Sequence, residues 1–412
     1  MPTQATHNQS GTGAARTPPS RAGRPKLPLV VYVLALGTFL MLTSEFVVAG
    51  ILPQIAGDLG VTVAQAGLLI TVFAIGMVVG APVMALLTLR LSKRLTLILA
   101  LVVFVAGHVV VALGPDFTVL LVARFVSALA TGAFWAVSAV VATRAAGPSS
   151  GARAVGVVGA GGALATVLGV PLGAMVAQLV GWRGTFWALA VAAVVAAVLV
   201  ARLVPRDAAG HQSASIRKEL AGLRSGKLWL ALAACATTSG GVLSAYTYIA
   251  TILTDQAGVT AALVPLVLTG FGVGSVLGTL IASRLGDAHP GAVTIVTPAV
   301  TTVLLLGISV SSGAPWLTSG LVLLLGLFGL SANSVLIHLS VSFAGEAATL
   351  GSALAVSAFN AGTAVGTAIA AVALTSSLGT GGPALVGTFV VALTLIPTVI
   401  LALGRRSPRL ES

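Results

Sequence analysis

Two ionisable side chains stand where the sequence around them is otherwise apolar. Glu45 lies inside LVVYVLALGTFLMLTSEFVVAGIL, the run that begins at Leu29, and Arg124 lies inside LLVARFVSALATG, from Leu120 to Gly132. A charge in hydrocarbon costs on the order of 3 kcal/mol on insertion scales, so such a residue marks a proton site, a substrate site or a structural ion pair. Counted from the ends of their runs, each sits about seven residues in, roughly 10 Å at 1.5 Å per residue, so the two can meet. Burial favours the neutral acid, whereas a nearby guanidinium favours the carboxylate. A conformational change that altered their separation or wetting would therefore switch proton affinity. Two readings stay open: Glu45 as proton acceptor with Arg124 its electrostatic partner, or a static pair that ties two helices together.

The elements that hold these residues follow from composition. The 412 residues are 57% hydrophobic and 7% charged, with a mean hydropathy of +1.09, far outside soluble usage. The expected fold class is an all-α integral membrane protein. A net charge of +12 would suggest nucleic acid in a soluble chain, but beside membrane spans its sign is read loop by loop, and no nucleic-acid partner is expected. One cysteine, Cys235, excludes an intramolecular disulfide and any multi-cysteine metal site. No metal is expected, and no cofactor beyond a proton gradient.

Apolar runs between charged or Pro/Gly-rich breaks predict twelve transmembrane helices near 28–52, 65–88, 95–114, 118–142, 153–180, 184–204, 227–253, 261–283, 291–311, 315–340, 347–375 and 382–404. Residues 1–27 read as a disordered basic tail, 28–204 and 227–404 as two six-helix bundles, 205–226 as a linker, and 405–412 as a second tail. Within the linker, Ile216, Leu220 and Leu223 recur at helical spacing, which suits either a short helix on the membrane surface or a solvated turn. The first apolar run is too long for a signal-peptide core and is expected to remain as the first span.

Charge sets the expected orientation. With both termini inside, 19 of the 21 Lys and Arg residues fall on the inner side, leaving Arg183 outside and Arg124 within a span. Asp58, Asp116 and Asp255 fall on the outer side, so cytoplasmic termini satisfy the positive-inside rule. An internal repeat supports the two bundles: Gly76, Gly80 and Arg90 are matched at identical spacing by Gly270, Gly274 and Arg284. Parallel halves of this kind recur in secondary transporters, with the substrate between them near mid-membrane.

Other polar residues are placed by helical phase. Arg124, Ser127, Thr131, Trp135 and Ser138 fall within an arc of about 80 degrees and form one polar stripe, expected to face a cavity. Tyr246, Tyr248, Asn333 and Asn360 are candidates from the second half, since aromatic surfaces with few placed polar groups suit a mostly apolar ligand. The expected substrate-binding set is Thr38, Met41, Glu45, Ser127, Thr131, Trp135, Tyr246, Asn333 and Asn360. His108 and His338 are read as structural, although either could titrate near neutrality.

Several motifs resemble those of the major facilitator superfamily. ALLTLRLSKR, from Ala85 to Arg94, is similar to its signature loop between the second and third spans, with Arg90, Lys93 and Arg94 at the basic positions and Leu89 where aspartate is usual. LLVARFVSALATG resembles its fourth-span motif with a single intramembrane arginine. GGALATVLGVPLG, from Gly161 to Gly173, is similar to the fifth-span motif of its proton antiporters, with Val170 displacing a glycine. Here glycines allow close helix approach and Pro171 bends the backbone. With TSEF, from Thr43 to Phe46, and GWRGTFWAL, from Gly181 to Leu189, the chain resembles bacterial twelve-helix drug:proton antiporters, a group that includes chloramphenicol-resistance exporters and sugar or arabinose effluxers. The resemblance implies two pseudo-symmetric six-helix bundles, a monomer, and a gate built on Arg90, Lys93, Arg94, Gly169, Pro171 and Gly173.

The function expected is proton-coupled export of a small amphipathic drug such as chloramphenicol, by alternating access across a bacterial inner membrane. An exporter of sugars or nucleosides with the same fold is the alternative, and 5% aromatic content argues against it. A membrane-embedded enzyme working on lipid phosphates would need clustered acids around a metal, and the spans hold a single acid. A passive channel would explain the spans but neither the repeat nor the buried acid.

Overall fold

In hydrocarbon every backbone N–H and C=O must be satisfied within its own segment, so apolar runs of this length fold as helices. The computed structural model describes residues 27–87, 91–147, 150–205, 225–345 and 348–406. Among these, twelve helices are long and apolar enough to cross a membrane. The first half holds α1 (Leu29–Leu59), α2 (Val63–Leu87), α3 (Lys93–Leu113) and α4 (Phe117–Ala146). Its fifth span joins α5 (Gly151–Leu164), a π turn (Ala165–Gly169) and α6 (Val170–Val180), and α7 (Trp182–Leu203) is the sixth. The second half holds α8 (Gly226–Thr247), α9 (Val264–Ala288) and α10 (Pro290–Val310). A tenth span is split into α11 (Pro315–Gly329) and α12 (Asn333–Ala344), and α13 (Ala348–Thr375) and α14 (Gly382–Arg406) complete the bundle. An even number of spans among the described residues puts the start of α1 and the end of α14 on one face, the termini face. Arg90 and the linker positions Ile216, Leu220 and Leu223 lie outside the described residues.

The internal repeat is a packing device. A methyl group on Gly76 would stand 2.6 Å from Ala128 Cβ, and one on Gly80 would stand 3.0 Å from Leu129 Cα, so these two glycines let α2 lie directly on α4. Gly270 and Gly274 do the same for α9 on α11, where added methyls would meet Leu323 Cδ2 at 1.9 Å and the Leu323 carbonyl oxygen at 2.8 Å. The same backbone contact is thus made once in each bundle, as a parallel repeat requires.

Four places depart from the expected spans. First, α1 runs through Pro53 for about two further turns and stops at Gly60, whose φ of 64° is open to glycine. Asp58 therefore sits on the last turn of α1, where its carboxylate pairs with Arg183 and accepts from Trp182 Nε1 at 3.2 Å. Trp182 is buried, with the Arg183 guanidinium 4.2 Å from its ring centroid. Second, the bend at Pro171 is realised as the π turn, because proline has no N–H to return to the preceding turn. Third, the seventh span has about the expected extent but is not one regular helix: α8 ends at Thr247, and a helical turn at Ile249–Thr251 and a second π turn at Ile252–Gln256 carry it on. Fourth, the tenth span breaks at residues 330–332, midway along its length.

The halves meet through α2 against α13 and through the fifth span against α9. Thr71 Oγ1 and Thr367 Oγ1 are 2.7 Å apart, and Ser357 Oγ donates to the Val78 carbonyl at 3.5 Å. On the face opposite the termini, Gln178 Nε2 donates to the Ala261 carbonyl at 2.8 Å.

Candidate functional site

A cavity lies between the two halves, walled by Glu45, Phe46 and Ala49 of α1, Ile70, Phe73 and Ala74 of α2, Leu243, Tyr246 and Thr247 of α8, and Thr363 of α13. Its water-accessible interior is about 10 Å³, room for roughly one water molecule, so the walls are nearly closed on one another. Hydrogen bonds between the halves flank it: the Thr71–Thr367 contact toward the opposite face, and the Ser357 to Val78 bond toward the termini face. Phe46 meets Tyr246 edge-on at 6.4 Å between centroids, and Tyr246 lies 4.5 Å from Phe271. These rings span the gap between bundles, and their geometry favours an apolar or aromatic guest. Thr247 Oγ1 is buried without a hydrogen-bond partner, and Glu45 is half-buried. The site therefore offers apolar walls, one carboxyl group and hydroxyls from the second half.

Arg124 is 1% exposed and its guanidinium is held from three sides. Nη1 donates to the Ser44 carbonyl at 3.1 Å and to Ser44 Oγ at 3.0 Å, and Nε donates to the Leu69 carbonyl at 3.4 Å. Its carbon lies 4.2 Å from the centroid of Phe73, close enough for a cation–π contact. Nη2 has no partner. Glu45 and Arg124 lie within electrostatic range of each other, yet the guanidinium hydrogen-bonds α1 through Ser44, the residue before Glu45. Ser44 Oγ is in turn 2.7 Å from His108 Nε2, and His108 Nδ1 is 2.7 Å from the Phe104 carbonyl.

Of the expected substrate set, Glu45 and Tyr246 line the cavity. The rest are packed elsewhere. Thr38 is fully buried with its hydroxyl on the Leu34 carbonyl at 3.1 Å, and Met41 is a fully buried core residue. Thr131 donates to the Ser127 carbonyl at 2.9 Å, Asn360 Nδ2 donates to the Val356 carbonyl at 3.0 Å, and Ser138 Oγ donates to the Trp135 carbonyl at 3.2 Å. Two of the five stripe residues on α4, Thr131 and Ser138, thus satisfy their hydroxyls along their own helix, as Ser and Thr readily do. Ser127 Oγ, unpartnered, faces α3, where a methyl on Gly107 would stand 2.2 Å from it. Half-buried Trp135 is not among the residues walling the cavity. Asn333 begins α12 beside the break in the tenth span, and its Oδ1 is unpartnered.

The expected gate residues fall at two places. Arg94 donates to the Ala201 carbonyl near the end of α7, a favourable cap for a helix C-terminus. Lys93 opens α3. Gly169, Pro171 and Gly173 are buried in and just after the π turn; a methyl on Gly169 would meet Thr43 Oγ1 at 1.9 Å and one on Gly173 would meet Val47 Cγ2 at 2.4 Å, both on α1. Sequence reasoning passed over Ser44, Phe73 and Thr247. Ser44 was visible beside Glu45 in TSEF, whereas nothing in an apolar span marks Phe73 or Thr247.

Comparison with known proteins agrees with this architecture. Residues 34–367 match the family model of the Major Facilitator Superfamily. A chloramphenicol resistance protein of Streptomyces lividans is 36% identical over 373 residues, covering 90% of this chain and 95% of that protein. The putative transporter AraJ of Escherichia coli (strain K12) is 31% identical over 352 residues, covering 85% of this chain and 89% of AraJ. Among solved structures, a bacterial homologue of the human lysosomal transporter Spinster, inward-facing and occupied, superposes with a TM-score of 0.70 at 15% identity, covering 92% of this chain and 97% of that one. FucP in its outward conformation gives 0.59 at 19% identity, covering 90% and 99%. The chain belongs to the Major Facilitator Superfamily, as a multi-pass membrane transporter of two six-helix bundles.

Proposed function

We propose that this transporter exports a small amphipathic drug of the chloramphenicol type in exchange for protons. The observation that carries the reading is Glu45, an acid well inside the apolar span α1, lining a cavity shared by both bundles and otherwise walled mainly by Phe46, Phe73, Tyr246 and aliphatic groups. A carboxyl group there holds a proton while it is shielded from water and releases it when the rocking of the bundles wets it or brings the Arg124 guanidinium closer. Arg124 supplies the nearby positive charge that favours release. Tyr246 and Phe46 pack the apolar body of the guest, and Thr247 offers it a hydrogen bond. The likeness to the Streptomyces lividans chloramphenicol resistance protein over nearly the full length of both chains supports the drug class. A sugar would call for more polar groups than these walls provide.

In this reading the termini face is cytoplasmic, in accord with the Lys and Arg distribution, in a bacterial inner membrane. The bundles of a monomer rock about this cavity, with the π turn against α9 as one bearing surface. Chloramphenicol susceptibility and accumulation in cells expressing wild type or Glu45→Gln test it. Accumulation should fall with the wild type and recover with either the substitution or an uncoupler. Equal export by both variants would remove Glu45 from the coupling.

A further inference from the structure

Ser44 holds two bonds at one oxygen, and their polarity is fixed by its neighbours. The Phe104 carbonyl can only accept, so His108 Nδ1, 2.7 Å away, carries the ring proton. Arg124 Nη1 can only donate, so Ser44 Oγ accepts from it at 3.0 Å and directs its own hydrogen to His108 Nε2 at 2.7 Å. A neutral imidazole is the form that completes this chain. The ring is itself locked, stacked on Phe104 at 3.9 Å and 5.7 Å from Phe186. Meanwhile Nη2 of the same guanidinium is buried and unbonded, with Glu45 one residue beyond Ser44 on α1.

From this geometry we infer that Ser44 and His108 form a parking site for the Arg124 guanidinium, one that competes with Glu45 for it and so sets the pH at which the cavity exchanges its proton. The inference rests on Glu45 as the proton site and goes further by naming the residues that tune it. While Glu45 is neutral, Arg124 rests on Ser44, whose hydroxyl stays correctly turned because His108 accepts its hydrogen. Once Glu45 ionises, the guanidinium has a stronger partner within electrostatic reach. Ser44 and His108 are positioning residues: they touch neither drug nor the transferred proton. The titratable or charged groups around Glu45 are Arg124 from α4, His108 from α3 through Ser44, and Tyr246 from α8, whereas α2 and α13 present Ile70, Phe73, Ala74 and Thr363.

Infrared titration of the purified full-length protein reads this without knowledge of the drug, by following the carbonyl stretch of a protonated carboxyl against pH. The Glu45 band is assigned by its loss in Glu45→Gln. Ser44→Ala or His108→Leu frees the guanidinium for Glu45, and the midpoint should fall by on the order of one pH unit, a tenfold loss of proton affinity. His108→Gln keeps an acceptor for the Ser44 hydroxyl and should restore the wild-type midpoint. An unmoved midpoint in folded Ser44→Ala and His108→Leu, with the band still lost in Glu45→Gln, overturns the parking site and leaves the proton site standing. A band that survives Glu45→Gln overturns both. A purely structural role for His108 would lower thermal stability in His108→Leu without moving the midpoint.

Discussion

The two bundles repeat each other's backbone contacts but divide their buried polar groups by kind. The first half buries Arg124 and His108 and sets Glu45 at the cavity wall; among the described residues, the Ser, Thr, Asn and Gln side chains buried in the second half are hydroxyls and amides. Many of those hydroxyls answer to their own helix, as Thr297 does on Val293 at 2.8 Å, Thr301 on Thr297 at 2.7 Å and Thr398 on Thr394 at 2.8 Å. Such a group needs no partner from another helix and commits its span to no single arrangement. A buried guanidinium has no such freedom: it must be met across helices, and Arg124 is met by α1 and α2 together. The contrast teaches a division of labour. One half carries a charge network that ties α1, α2 and α4 together, and the other presents a hydroxyl and aromatic wall.

Substitutions that break this contrast should differ in size. Arg124→Ala strands the Ser44 and Leu69 carbonyls and empties a fully buried volume; thermal unfolding in detergent should show a loss of about 3 kcal/mol or more. Gly272→Val comes next. An added methyl would stand 2.2 Å from the Thr166 carbonyl oxygen in the π turn, so α9 must retreat from the fifth span, at a cost of about 2 kcal/mol. Transport assays should register that retreat as slowed turnover. Tyr246→Ala removes a ring that bridges Phe46 and Phe271, and drug-binding titrations should weaken by roughly tenfold, given about 1 kcal/mol per aromatic pair. Tyr246→Phe keeps the ring and should bind nearly as wild type. Smallest is Thr247→Val: its hydroxyl has no protein partner, so stability should stay within about 0.5 kcal/mol of wild type or rise. Only the affinity for guests with a hydrogen-bonding group should drop.

Much of the fold was legible because the membrane imposes it. Twelve apolar runs became twelve spans, and the spacing of Gly76 and Gly80 against Gly270 and Gly274 reported real contacts because close packing needs small residues at fixed helical intervals. Helix ends were less legible. Pro53 reads as a stop by hydropathy and propensity, yet a span can absorb a proline where neighbouring helices support it, and α1 continues to Leu59. The break at residues 330–332 does coincide with Gly329, Ser331, Asn333 and Ser334, a turn-prone cluster hidden by the high hydropathy on either side. At the site, charge was the readable property: Glu45 and Arg124 announce themselves by cost. Helical phase placed the α4 stripe on one face but could not say which neighbour covers that face, and hydroxyls on Thr131 and Ser138 turned to their own backbone. His108 reads as structural and Ser44 only as part of TSEF, because their partnership depends on three helices meeting, which no single run encodes.

The central claim is that drug and proton exchange at Glu45. Purified protein reconstituted into liposomes under an imposed pH gradient, with chloramphenicol added and the internal pH followed by a trapped dye, tests it most directly. The account predicts that drug dissipates the gradient through wild type and leaves it intact through Glu45→Gln. Equal dissipation by both proteins would contradict it and move the proton site away from Glu45.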